Sequence, residues 1–170
     1  MRGKSQEANG TMGADLQREL RKRRPFESLE QEAMLNLART NDRFQIRFVR
    51  LFREYGLTPS QYNVLRILRG EGKPLACLEI AERLITAVPG ITGLIDRLEA
   101  MGLVARDRST EDRRVVYVSI TPGALDLLAR LDAPVRDLHV KLMGHLARPE
   151  LQELIRLLEK SRQSLSDEAD

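Results

Sequence analysis

Arg106, Arg108, Arg113 and Arg114 gather four guanidinium groups in one short stretch, interleaved with Asp107, Glu111 and Asp112. A guanidinium is a permanent cation with a planar fork of donors, matched to phosphate oxygens and to a narrow anionic groove. A solvated hairpin tip, kept charged to protect a sheet edge, has the same composition. The stretch just upstream, Thr86 to Gly102 (TAVPGITGLIDRLEAMG), favours the first reading. Val88, Ile91, Leu94, Ile95, Leu98 and Met101 recur there at three- and four-residue steps and share one helical face. The opposite face carries Pro89, Thr92, Gly93, Asp96, Arg97 and Ala100, and its first half is small. Core packing explains the apolar stripe but not the shaved face, which suits close approach to another surface.

Within this stretch Pro89 fits the first helical position, where its missing N–H costs nothing, and Gly102 fits the left-handed stop. Thr86 and Thr92 are the candidate polar contacts to bases or phosphates, with Arg97 beside them. Asp96 and Arg97 have a second use open to them, pairing with hairpin residues to hold hairpin and helix together.

Little else in the chain offers chemistry. Cys77 is the single cysteine, so no intramolecular disulfide framework exists. It reads either as a small half-buried residue or as a redox-sensitive thiol. His139 and His145 are six residues apart and diverge on a helix, and no Cys or carboxylate cluster joins them, so no metal site is expected. No nucleophile–base–orienter set, phosphate loop or carboxylate pair can be placed; the expectation is neither an enzyme nor a cofactor protein.

The elements that position these residues are mostly helices. The 170 residues are 42% hydrophobic with four Phe, three Tyr and no Trp, and the net charge of +3 suits an anionic partner where the cations cluster. No run nears the roughly 18 apolar residues of a membrane span, and no signal-peptide core opens the chain, so a cytoplasmic protein with no membrane partner is expected. Residues 1–26, with Arg21-Lys22-Arg23-Arg24, read as a disordered basic arm, and residues 166–170 as a disordered tail. Met34, Leu37, Phe44, Phe48, Leu51, Phe52 and Tyr55 keep a helical period from Glu27 to Tyr55, with Gly56 as the stop. That helix has more apolar surface than a small neighbouring domain covers, which points to a second chain.

Thr58-Pro59-Ser60-Gln61 is a helix start with a capping box, and that helix runs to Arg69. Lys73 to Ala76 is extended, and a short helix spans Leu78 to Leu84. Two short helices joined tightly, the second one exposed, form a helix-turn-helix. Leu103–Arg106 and Val115–Ile120 then make two strands around the arginine loop, which completes a winged helix. Thr121-Pro122 opens a long helix kinked at Pro134, and Pro149 opens the last, striped with Leu151, Leu154, Ile155 and Leu158. The fold class expected is mainly α with a small β-hairpin wing. The winged module spans residues 57–120, and helical parts at 27–56 and 121–165 flank it.

The segment from Leu57 to Leu128 resembles the MarR (multiple antibiotic resistance regulator) family of bacterial transcription factors. The matching residues are Leu57-Thr58, Leu65, Glu79 to Leu84, Pro89 to Thr92, Leu94 to Glu99, Gly102-Leu103-Val104, Asp112-Arg113-Arg114, and Thr121 with Gly123. Including the long flanking helices, the likeness covers about 140 residues, and the Asp-Arg-Arg element after Gly-Leu-Val is specific. It implies a homodimer with intertwined first and last helices, two winged modules on a palindromic operator in double-stranded DNA, and repression. It implies Arg114 in the minor groove, braced by Asp112, and DNA contacts from Thr86, Ala87, Pro89, Gly90, Thr92, Gly93, Arg97, Arg106, Arg108 and Arg113. It also implies release by a small aromatic or phenolic ligand between winged and dimerisation parts, with Phe44, Phe48, Tyr62, Leu65 and His139 as candidate walls. The sequence departs from the family's habit in one respect: Ala87, Gly90 and Gly93 stand where Ser, Thr or Arg are common. Two other readings remain: a winged-helix dimer that docks on protein, and a regulator switched by oxidation of Cys77.

Overall fold

A computed structural model describes residues 14–108 and 116–165. The chain divides into two compact units, one ending at Arg47 and the other beginning at Phe48. The boundary falls inside a single helix, α2 (Leu29–Glu54).

In the first unit a short helix, α1 (Ala14–Glu19), precedes α2. Residues 1–26 are thus not wholly a structureless arm, as their composition suggests: from Ala14 onward they have defined structure. Leu16 is buried, and the Glu19 carboxylate accepts hydrogen bonds from Arg43 Nη2 at 2.7 Å and Arg39 Nε at 3.3 Å. One apolar residue and one carboxylate on a pair of arginines four apart leave no periodic stripe for sequence reading to detect. Along the part of α2 in this unit, Leu29, Met34, Leu37 and Ile46 are exposed, although Met34 and Leu37 belong to its apolar period.

The second unit holds the rest of α2, then α3 (Pro59–Glu71), β1 (Leu75–Ala76), α4 (Cys77–Glu82), α5 (Ile91–Ala100), β2 (Val104–Arg108), β3 (Val116–Ile120), α6 (Pro122–Met143) and α7 (Arg148–Gln163). The strands form one antiparallel sheet in the order β1-β3-β2, with Leu75 opposite Val118, Val104 opposite Ile120 and Arg106 opposite Val118. Local chemistry fixes several boundaries. The Thr58 hydroxyl accepts the Gln61 N–H at 3.2 Å, and the Gln61 side-chain oxygen accepts the Thr58 N–H at 2.8 Å. Gly56, Gly72 and Gly102 take positive φ where helices end, a region open to glycine at no steric cost. Thr121 caps α6 by accepting the Ala124 N–H.

The core joins Phe52, Leu57, Val64, Leu65, Leu68, Leu75, Ile80, Leu94, Ile95, Leu98, Val118, Leu128 and Leu131. This corrects the expected division of labour. The C-terminal part of α2 and the first half of α6, with Ala124, Leu127, Leu128, Leu131 and Val135 buried, belong to the core of the winged module, which thus reaches beyond residues 57–120. The α6 helix also continues through Pro134 without a break. By contrast α7 has no buried residue, and Ile155 and Leu157 of its apolar complement are exposed.

The capping box at the head of α3 makes a clean stability test. Thr58→Ala removes the acceptor for the Gln61 N–H and should cost about 1 kcal/mol. Urea unfolding should show a lower midpoint with an unchanged slope.

Candidate nucleic-acid interface

The exposed surface of α5 is built by elimination. Leu94, Ile95 and Leu98 are buried in the core, so at about 100° per residue the opposite surface carries Thr92, Gly93, Asp96, Arg97, Glu99 and Ala100. That surface divides in two. Asp96 and Glu99 turn towards the sheet, where they share Arg106 Nη1 at 2.5 and 3.5 Å. Gly93, Arg97 and Ala100 follow each other at four- and three-residue steps on the remaining side. No ion pair involves Arg97 among the described residues, and it is exposed.

The sequence placed the helix start too early. Pro89 does not occupy the first helical position; α5 begins at Ile91, with Gly90 as its cap at φ +77°. A left-handed residue cannot continue a helix backwards, so Thr86 to Pro89 form an irregular approach to it. Thr86, Ala87, Pro89 and Gly90 are all exposed there, as is Thr92 on the first turn, while Gly93 is half-buried. No side chain caps α5. A Cβ built on Gly93 meets nothing within 4 Å, so the chain's own packing does not require glycine at that position.

Arg106 differs from expectation. Strand alternation puts it on the same sheet face as buried Val104, and its side chain is only 22% exposed. Its Nη2 donates to the Thr92 carbonyl at 3.2 Å. A wing arginine grouped with the DNA contacts is thus engaged within the fold, and Asp96 meets a hairpin residue as one of its two readings held. Glu99 shares that contact; seven residues from Arg106 and on another element, it carries no local signal in the sequence. Arg108 is exposed at the end of β2. Asp112, Arg113 and Arg114 lie outside the described residues.

Three of the proposed ligand walls, Phe48, Tyr62 and His139, come together. Phe48 and Phe52 stack with centroids 6.0 Å apart, Phe52 and Tyr62 at 4.3 Å, and Phe48 and His139 stand at 5.5 Å. These four rings form one chain from α2 and α3 to α6, and Phe52, one turn after Phe48, is its member that sequence reading omitted. Leu65 is fully enclosed in the core and offers no surface, which corrects its place among the walls. Phe44 lies in the first unit, half-buried. Burial holds the Tyr62 phenol above its ordinary range, against the opposing pull of Arg69 and Arg66. Arg69 and Asp132 make a bidentate pair at 2.8 and 3.0 Å that ties α3 to α6, and this hydrogen bonding raises the arginine's pKa. Cys77, the first residue of α4, is a free thiol packed half-buried against the core. Among the described residues no His/Cys/Asp/Glu group could hold a metal ion, and no helix is long and apolar enough to cross a membrane.

The MarR family model matches residues 57–116, from the head of α3 into β3. A MarR transcription factor from Planctomyces limnophilus is 50% identical, covers 79% of this chain and 98% of its own, and superposes with a TM-score of 0.63. The transcriptional repressor IacR of Pseudomonas putida is 32% identical over 123 residues, 72% of this chain and 73% of its own. This chain belongs to the MarR family. The family's members are transcriptional regulators that bind DNA, and the matched residues include α4, α5, β2 and the start of β3. A third relative, BpsR of Bordetella bronchiseptica, is 26% identical, covers 86% of this chain and all of its own, and has a TM-score of 0.70; its structure describes regulation of DNA binding by 6-hydroxynicotinic acid.

Gly93 allows a test with two opposite signs. A glycine inside a helix costs roughly 0.5–1 kcal/mol relative to alanine, and the space around it is open. Gly93→Ala should therefore raise the unfolding midpoint and at the same time weaken DNA binding, read by denaturation and by fluorescence anisotropy with a labelled duplex.

Proposed function

We propose that this protein is a dimeric, sequence-specific repressor released from a palindromic operator by an aromatic acid. The observation that carries the DNA reading is the exposed run of Thr86, Ala87, Pro89, Gly90, Thr92 and Arg97 beside the arginine-bearing hairpin. The small residues in that run admit close approach of the duplex, and Arg97, Arg108 and Arg113 supply cations for its phosphates. Arg114, by family likeness, is the minor-groove contact, with Asp112 directing it.

Dimerisation is supported by apolar surface left open in each unit taken by itself: Leu29, Met34 and Ile46 on α2, and Ile155 and Leu157 on α7. A second copy is the occupant the family likeness supports, and an obligate interface of this sort buries about 2,000 Å² or more. The effector reading rests on the chain of rings Phe48, Phe52, Tyr62 and His139, and the aromatic acid of BpsR supports that ligand class. An effector acts only if it binds the DNA-free arrangement more tightly than the DNA-bound one.

A mobility-shift experiment with the DNA just upstream of the protein's own gene tests the first part. Retention should fall steeply as salt rises, because phosphate contacts release counterions. Failure to retain any duplex at low salt overturns the DNA reading and favours docking on protein. Deleting residues 148–170 should yield monomer or aggregate; a soluble, DNA-binding dimer after that deletion sinks the dimer assignment. Screening phenolic and hydroxypyridine acids should find one that releases the duplex from the wild type but not from Phe48→Ala. A screen without effect on DNA binding or thermal stability removes the effector.

A further inference from the structure

We propose that Arg106 is a positioning residue that clamps the first turn of the recognition helix from the wing, so that helix and hairpin meet DNA as one piece. The proposal rests on the DNA-binding reading for its consequence, but the clamp itself is a property of the free protein.

Three observations converge on it. The first turn of α5 has little support of its own: its cap is Gly90 in a left-handed conformation, no side chain caps it, no acidic residue lies in it, and Gly93 sits within it. Such a turn is marginal, because glycine adds backbone freedom and the leading N–H groups lack a side-chain acceptor. Arg106 then reaches that turn from β2, with Nη2 on the Thr92 carbonyl and Nη1 on the carboxylates of Asp96 and Glu99. One planar guanidinium thus spans two turns of α5, which a lysine cannot do. Finally, the side chain is committed inward. It lies on the sheet face of Val104 and Val118, and its Nε is buried with no hydrogen-bond partner.

Charge adds a second duty. Asp96 and Glu99 are exposed on α5, on its side turned to the sheet. Arg106 offsets part of that negative charge, and it does so while held to the protein. A phosphate contact would have to break this arrangement.

Amide hydrogen exchange on the free full-length protein separates the two roles. In Arg106→Gln, amides of residues 91–97 should exchange at least about tenfold faster, while those of Val64, Leu65 and Leu68 in α3 keep their protection. Arg106→Lys should recover part of the DNA affinity but not the protection of the first turn. Asp96→Asn, which leaves Arg106 in place, should speed exchange in the same amides, and it decides the matter if Arg106→Gln loses protection throughout. On the upstream duplex, Arg106→Gln should bind at least about tenfold more weakly with an unchanged slope of log affinity against log salt. Unchanged exchange at residues 91–97 overturns the clamp, as does a slope reduced by about one per subunit, the mark of a lost phosphate contact. Should the wild type retain no duplex, the DNA reading fails while the exchange result still decides the clamp.

Discussion

Burial of one face of α5 is the constraint on which the rest of the molecule depends. Leu94, Ile95 and Leu98 are almost fully enclosed, and side chains of this size contribute about 1.5–3 kcal/mol each on burial. They join α5 to a core that also draws on α3, α4, α6 and the sheet. With the helix secured from behind, its front is released from structural duty. That is why a glycine, a threonine and an arginine without an ion pair among the described residues can occupy that surface.

Polar contacts then settle orientation more than stability. The Arg106 contacts with Asp96 and Glu99 involve partly exposed groups, and such pairs contribute little net free energy in water. Their effect is directional: a planar cation with several donors restricts how a helix and a hairpin can rotate against each other. The Arg69–Asp132 pair does the same between α3 and α6. Apolar burial gives this fold its depth, and the two arginines give it its angles.

What the sequence made legible follows the range of the interaction involved. The cap at Thr58, the cap at Thr121 and the left-handed stop at Gly102 are each decided within four residues, and the sequence places them correctly. The helix-turn-helix and the hairpin follow from periodicity, since a buried face repeats at every turn. Pro89 misled because its preference for a first helical turn is weaker than the break imposed by Gly90, whose left-handed geometry no periodicity reports. α1 is not legible in the sequence because one buried leucine, Leu16, and one carboxylate, Glu19 on Arg39 and Arg43, leave no periodic pattern. Arg106 shares its charge with the other arginines of the stretch, yet its contacts with Thr92, Asp96 and Glu99 on α5 hold it within the fold, which charge alone does not report. Arg69 and Asp132 are 63 residues apart, so only the folded chain pairs them.

Thr121 joins more than one element. Its hydroxyl donates to the Gly102 carbonyl at 2.8 Å, just after α5, and its N–H donates to the Leu103 carbonyl just before β2. The same residue caps α6, whose other end carries His139 against Phe48. From Thr121 to His139 the helix runs about 27 Å at 1.5 Å per residue. A rod of that length acts as a lever: a tilt of only about 6° about one end carries the other through about 3 Å. A rotation begun among the aromatic rings would therefore reach Thr121 as a displacement of the residues it bonds, at the end of α5 and the start of β2.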